Sequence, residues 1–62
     1  MDLKTYLLKN NVSQAEFAER IDRTVATVSR LINRKVYPNP ETMQRIMAAT
    51  KNKVTANDFH NV

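Results

Sequence analysis

The sequence predicts an all-α fold, a compact bundle of about five short helices in a single domain spanning residues 1–62. Three observations support this prediction. Apolar residues recur at the i, i+3, i+4 spacing of a helix along most of the chain. A Ser, Thr, Asp or Asn precedes nearly every such stretch, where its side chain can cap a helix N-terminus. No segment alternates apolar and polar residues for long enough to form a strand.

The first helix is predicted to begin after Asp2, which can act as its N-cap. Leu8 is expected to widen the apolar stripe. The helix should end at Asn10 and Asn11, since asparagine tolerates the left-handed conformation that terminates helices. The stripe itself consists of Leu3, Tyr6 and Leu7.

A second helix is predicted to begin after Ser13. Ser13 and Glu16 have the spacing of a capping box, and Val12 is placed to act as a hydrophobic staple. Its buried face is expected to contain Phe17, Ala18 and Ile21.

The stretch ERIDRTVATVSRLIN, residues 19–33, predicts a sharp corner between two helices, although the chain contains no glycine. Thr24 is a suitable N-cap for a third helix, so Asp22 and Arg23 would form the turn. Asp22 can adopt the positive φ that glycine usually provides, because its short polar side chain bonds locally. The alternative is one longer helix with both residues exposed on it. The third helix would bury Val28, Leu31 and Ile32 and expose Ala26, Thr27, Arg30 and Asn33, with Val25 at the margin.

A fourth helix is predicted from Asn39 and Pro40, an N-cap followed by proline at the first helical position. Its end is expected near Thr50. Thr55 and Asp58 have capping-box spacing and predict a short fifth helix. The inward residues of the fourth helix would be Met43, Ile46 and Met47. Phe59 would be the apolar anchor of the fifth helix, with Val54 packed beside it.

The net charge of +4 is concentrated in one basic window, Arg23 to Pro40, which holds four basic residues and no acid. Such an excess suits an anionic partner, with nucleic acid the first candidate. A solvated basic face is the alternative. The absence of cysteine excludes disulfides and thiolate metal sites. The apolar runs are too short for a membrane span or a signal peptide, so we expect a soluble, cytoplasmic protein.

The run SQAEFAERIDRTVATVSRLIN, residues 13–33, resembles the helix-turn-helix of the lambdoid Cro and repressor family, also called the XRE family. NPETMQRIMAATKNKVTANDF resembles the following region of small Cro-like phage and prophage regulators. Three positions depart from the family pattern: Asp22 replaces glycine, Arg23 an apolar residue and Leu31 a tryptophan. The matching positions are Ser13, Gln14, Ala18, Ile21, Val28, Ser29 and Arg30.

The resemblance implies a lambda-repressor-like fold with a helix-turn-helix at about residues 13–33, whose third helix lies in the major groove of DNA. Arg30 would read guanine with its guanidinium fork, although a phosphate contact is its alternative role. Val25 and Ala26 could pack on thymine methyl groups, with core packing as the alternative for Val25. The implied base-contacting residues are Val25, Ala26, Thr27 and Arg30.

A second set of residues is implied to contact the DNA backbone, fixing the register of the protein on the duplex. Tyr37 has an alternative role as an aromatic side chain that covers the core. The implied backbone-contacting residues are Gln14, Thr24, Ser29, Asn33, Arg34, Lys35, Tyr37 and Asn39.

The resemblance therefore implies a sequence-specific repressor of double-stranded operator DNA, acting in the nucleoid of a bacterium or phage-infected cell. A homodimer is expected at least on DNA, with Phe59 and Val62 as its contact surface. No enzymatic activity, cofactor or metal is expected, since the lone His60 has no ligand partners and no acid pair marks a cleft. An antitoxin-type module that binds a partner protein is the main alternative, and RNA binding is a weaker one.

Overall fold

In the computed structural model, which describes residues 1–33 and 35–59, four α-helices and one turn of 3-10 helix surround a single core. No strand is present in these ranges. The prediction of about five helices is therefore slightly high, because the fifth element is only a 3-10 turn. The elements are α1 (Leu3–Lys9), α2 (Gln14–Arg20), α3 (Val25–Ile32), α4 (Pro40–Ala49) and the 3-10 turn (Ala56–Phe59).

The four predicted N-caps are confirmed. In each α-helix the cap side chain accepts a hydrogen bond from the backbone N–H three residues later, which satisfies one of the free donors of the first turn. Ser13 and Glu16 form both bonds of the capping box. The cap residues are Asp2, Ser13, Thr24 and Asn39.

In the fifth element only one half of the predicted capping box forms. The Asp58 carboxylate accepts from the Thr55 N–H at 2.8 Å and from its hydroxyl at 3.3 Å. The Asp58 N–H donates to the Thr55 carbonyl rather than to its hydroxyl. This i to i+3 bond is the pattern of a 3-10 helix.

Three α-helices, α1, α2 and α4, end with one shared hydrogen-bond pattern that uses no glycine. Asn11, Asp22 and Lys51 have φ values of 54°, 56° and 53°. At each site the next N–H bonds a carbonyl five residues back, as in the Val12 to Leu7 bond of 3.0 Å. This is the Schellman motif, which usually places glycine at the positive φ. The prediction that Asn11 ends the first helix is confirmed.

The core lies between the helices, and its least exposed side chains come from four of the five elements or the segments beside them. The prediction that Leu8 widens the buried stripe of α1 is wrong, because 74% of its surface is exposed. Phe59 is a second correction, because it is 5% exposed within its own core and so is not available as a dimer contact. Val62 and His60 lie outside the described residues. The fully buried apolar side chains are Phe17, Ile21, Val28, Leu31, Ile46 and Val54.

None of the described helices has the length and apolar character that crossing a membrane requires.

Candidate nucleic-acid interface

The corner between α2 and α3 is a true turn, so the alternative of one continuous helix is wrong. Asp22 has φ 56°, which confirms that an aspartate occupies the usual glycine position. The Asp22 N–H bonds the Glu19 carbonyl at 3.2 Å, and the Arg23 N–H bonds the Ala18 carbonyl at 2.9 Å. These bonds end α2 and direct the chain into the cap of α3.

The outward face of α3 carries the four residues predicted to contact bases, and all four belong to one helix. Arg30 and Ala26 are exposed, while Thr27 is half-buried. Val25 is 47% exposed, so its alternative role in core packing is wrong. In the described part of the chain, the Arg30 guanidinium forms no ion pair. This face therefore presents small and apolar groups at the start of α3. A turn further on it presents the Arg30 guanidinium, which has no ion pair in the described residues.

Two hydroxyl groups at the start of α3 are already partnered. Thr24 Oγ1 accepts from the Thr27 N–H at 3.2 Å and lies 3.1 Å from Thr27 Oγ1. The cap thus connects the Thr24 and Thr27 side chains beside the exposed residues Val25 and Ala26. A hydroxyl can donate and accept, so each retains bonding capacity toward a ligand.

Arg23, which lies in the basic window, is neutralised within the protein. Its Nη2 lies 3.4 Å from Glu41 Oε2, and Arg45 binds the same oxygen at 3.3 Å. Arg45 also lies 3.6 Å from Asp22 Oδ2. The charges of two arginines and two acids therefore cancel around the turn. Arg30 and Lys35 are the cations of the window that have no ion pair within the described residues.

Arg23 is further held by two hydrogen bonds that the sequence did not predict. Nε donates to Thr42 Oγ1 at 3.1 Å, and Nη1 donates to the Asp22 carbonyl at 2.8 Å. Thr42 is 5% exposed and lies in the first turn of α4. The only sequence signals for this cluster were an arginine at a usually apolar position and the i, i+4 pair of Glu41 and Arg45.

The residues predicted to contact the DNA backbone are distributed over the N-terminus of α2, the α3 surface and the connection to α4. Gln14 is the exposed first residue of α2. Ser29 is half-buried, whereas Asn33 and Lys35 are exposed. The Asn39 side chain is occupied as the cap of α4, accepting from the Thr42 N–H at 2.8 Å. Arg34 lies outside the described residues.

Tyr37 is a surface residue of the connection between α3 and α4. It is 54% exposed, so its alternative role as a core-covering aromatic is wrong. Its hydroxyl donates to the Ala56 carbonyl at 3.4 Å. This contact ties the connection to the 3-10 turn.

A change in ionisation lies away from this face, at Asp58. The pKa of Asp58 is lowered chiefly by the hydrogen bond from the Thr55 N–H, against an opposing effect of burial. The N-terminal ammonium group, 3.1 Å from its Oδ1, lowers that pKa further. Across residues 1–33 and 35–59, no His, Cys, Asp and Glu side chains cluster as metal ligands would.

Comparison with known proteins gives one match. A family model described as helix-turn-helix matches residues 3–55, which include all four α-helices. No curated protein sequence and no solved structure matches the chain.

Proposed function

Because this chain belongs to the XRE-type helix-turn-helix family, we propose that it is a Cro-like repressor that reads one operator sequence through the outward face of α3. The family supports a DNA-binding transcription regulator in general. The operator-specific role rests on one observation: α3 follows the turn directly and exposes Arg30 without an ion-pair partner in the described residues. In this family architecture that face enters the major groove.

In this proposal Arg30 binds the O6 and N7 atoms of a guanine, which is the most common specific contact in the major groove. Val25 and Ala26 contact a thymine methyl group, and Thr27 contacts the edge of a base. Gln14, Thr24, Ser29, Asn33, Arg34, Lys35, Tyr37 and Asn39 grip the sugar-phosphate backbone on either side. No catalytic step, cofactor or metal takes part.

We infer that two copies bind DNA together, because a symmetric pair of recognition helices reads two half-sites about 10 base pairs apart. The buried Phe59 cannot supply the contact between copies. Val36 is 42% exposed in the connection between α3 and α4. It is the better candidate for the contact between two copies on DNA.

The test is selection from a pool of random duplexes at physiological salt, followed by sequencing of the bound fraction. Enrichment of a palindrome with half-sites about 10 base pairs apart supports a dimeric operator-binding protein. Enrichment of a single half-site supports a monomeric one. Retention of every sequence alike, with strong salt dependence, contradicts the proposal and leaves only a non-specific basic patch.

A second candidate function, binding a partner protein in the manner of an antitoxin, is favoured by Leu8. This side chain is 74% exposed and borders a shallow groove of about 270 Å³ that also includes Leu7, Val12 and Ile32. Exposed apolar surface beside a groove is typical of protein interaction sites. A stable complex with the product of a neighbouring gene, lost in Leu8→Glu, would favour this function.

A further inference from the structure

Arg23 joins the N-terminal ends of the two helices that flank the proposed DNA surface. It immediately precedes Thr24, the cap of α3. Its Nε donates to Thr42 Oγ1 at 3.1 Å, and the Thr42 N–H donates to the Asn39 side chain at 2.8 Å. Asn39 is the cap of α4. A continuous chain of hydrogen bonds therefore runs from the start of α3 to the start of α4.

Arg23 and Thr42 are each bonded to more than one partner in this connection. Arg23 uses all three guanidinium nitrogens: Nε on Thr42, Nη1 on the Asp22 carbonyl and Nη2 on Glu41. Thr42 is buried at 5% exposure, so water does not compete freely for its hydroxyl. A planar guanidinium is preorganised for several simultaneous bonds, which a lysine ammonium cannot reproduce in the same geometry.

The charge of Arg23 is balanced, which sets it apart from the other cations of the basic window. Glu41 lies 3.4 Å from Arg23 and 3.3 Å from Arg45, and Arg45 reaches Asp22 at 3.6 Å. The Arg23 side chain is only 26% exposed. A cation that is already paired releases few counterions from DNA, because counterion release requires neutralisation of a phosphate.

We propose that Arg23 is a positioning residue, which sets α3 relative to the α4 N-terminus and itself makes no contact with DNA. The inference rests on the proposed function, since it concerns how that surface discriminates between sequences. Base contacts on α3 and phosphate contacts near Asn39 can form together only if the two helix ends are held in register. Sites held by bonded supporting residues keep the geometry that specific binding needs.

The test compares binding of an operator duplex and a random duplex over a range of salt concentrations. The variants are Arg23→Lys, which keeps the charge but loses the fork, and Thr42→Val, which removes the acceptor. Arg20→Lys is the matched control, because Arg20 is an exposed arginine of α2 with no ion pair in the described residues. Circular dichroism confirms that each variant is folded at the temperature of the binding measurement.

Arg23→Lys is expected to lower operator affinity by about five- to tenfold, the cost of one or two lost hydrogen bonds. Affinity for the random duplex and the slope against salt stay unchanged. Thr42→Val shows a similar loss, and the double variant loses no more than about twofold beyond either single variant, because both remove one connection. Arg20→Lys leaves operator preference unchanged.

Operator affinity within about twofold of the unaltered protein in Arg23→Lys overturns the proposal. The proposal is also overturned if the slope of operator affinity against salt is unchanged in Arg23→Lys but lower by about one in Arg23→Gln. That pattern marks a direct contact between Arg23 and a phosphate. Absence of operator preference in the unaltered protein is a separate result, which contradicts the proposed function itself.

If a variant does not fold, the unaltered protein still decides the question by nuclear magnetic resonance. The Arg23 Nε–H signal should be slow to exchange in the free protein and keep its position when DNA is added. A large shift of that signal on DNA binding, or rapid exchange without DNA, overturns the proposal.

Discussion

The turn between α2 and α3 and the outward face of α3 are adjacent in the chain, yet they differ in how their polar groups are partnered. In the turn, Arg23 has bonds on three guanidinium nitrogens. On the outward face, Arg30 is exposed and has no ion pair within the described residues. Both arginines belong to the same basic window, so composition alone does not separate them.

This difference indicates that the two regions have different roles in the protein. Groups bonded within the protein belong to the framework, and their loss should affect the arrangement or stability of the helices. Groups left without a partner at a polar surface cost the fold little to replace, since exposed substitutions usually change stability by no more than about 0.5 kcal/mol. Their role should therefore appear in binding.

Arg30→Ala should produce the largest effect and confine it to binding. We expect it to weaken operator binding by about 1–3 kcal/mol, the value of one bidentate contact to guanine. The midpoint of thermal unfolding should stay close to that of the unaltered protein, because no bond within the described fold is lost. Fluorescence anisotropy and a thermal melt measure the two quantities.

The matched control for that variant is Arg20→Ala, which removes the same charge from α2. It should weaken binding to the operator and to a random duplex alike, because it reduces the long-range attraction between the protein and DNA. Retained operator preference in Arg30→Ala would assign the readout to another residue.

Asp58→Asn should have a smaller effect, this time on stability and only above acidic pH. The pKa of Asp58 is lowered by the Thr55 N–H and the N-terminal ammonium group. A carboxyl with a lowered folded-state pKa stabilises the fold above its ordinary value of 3.8 and loses that contribution as pH falls below it. We expect a loss of about 1 kcal/mol at neutral pH, typical of a hydrogen bond.

Denaturant unfolding of both proteins across pH measures this effect. The difference between Asp58→Asn and the unaltered protein should shrink as pH falls below 3.8. A difference that stays constant through that range would show that the ionised carboxylate contributes nothing.

Asp22→Gly should have the smallest net effect, because two contributions oppose each other. Glycine removes the cost of a positive φ of 56°. It also removes an ion pair with Arg45 in which Asp22 is 84% exposed, and such pairs contribute little. Asp22→Ala loses the same ion pair, but alanine still bears the cost of the positive φ.

We therefore expect the glycine variant to exceed the alanine variant in unfolding free energy by about 1 kcal/mol. Chemical denaturation measures both. Equal stability of the two variants would show that the left-handed conformation at the turn carries no strain.

Local features of this fold were predictable because they depend on residues close together in sequence. The N-caps at Ser13 and Thr24 and the left-handed Asp22 each involve bonds spanning only a few positions. Helical spacing also identified buried residues such as Phe17 and Val28. Short-range hydrogen bonds and the helical periodicity of apolar residues therefore account for most of the architecture.

Features that depend on how helices pack were not predictable in the same way. Leu7 and Leu8 are adjacent on one apolar arc, and only the position of α2 and α3 decides that Leu8 remains exposed. The bond between Arg23 and Thr42 joins residues 19 positions apart. Its prediction would have required the placement of α4 against the turn. Phe59 was recognised as an apolar anchor, but its burial in its own core required the same knowledge.

The central claim is that the outward face of α3 reads DNA while the bonded turn supports it. The most direct measurement is a nuclear magnetic resonance titration of the protein with the duplex that selection enriches. We predict the largest shifts at the amides of Val25, Ala26 and Thr27 and at the Arg30 side chain, with the Arg23 Nε–H nearly unchanged. Shifts concentrated around Leu8 and Val12, with α3 unaffected, would contradict the account.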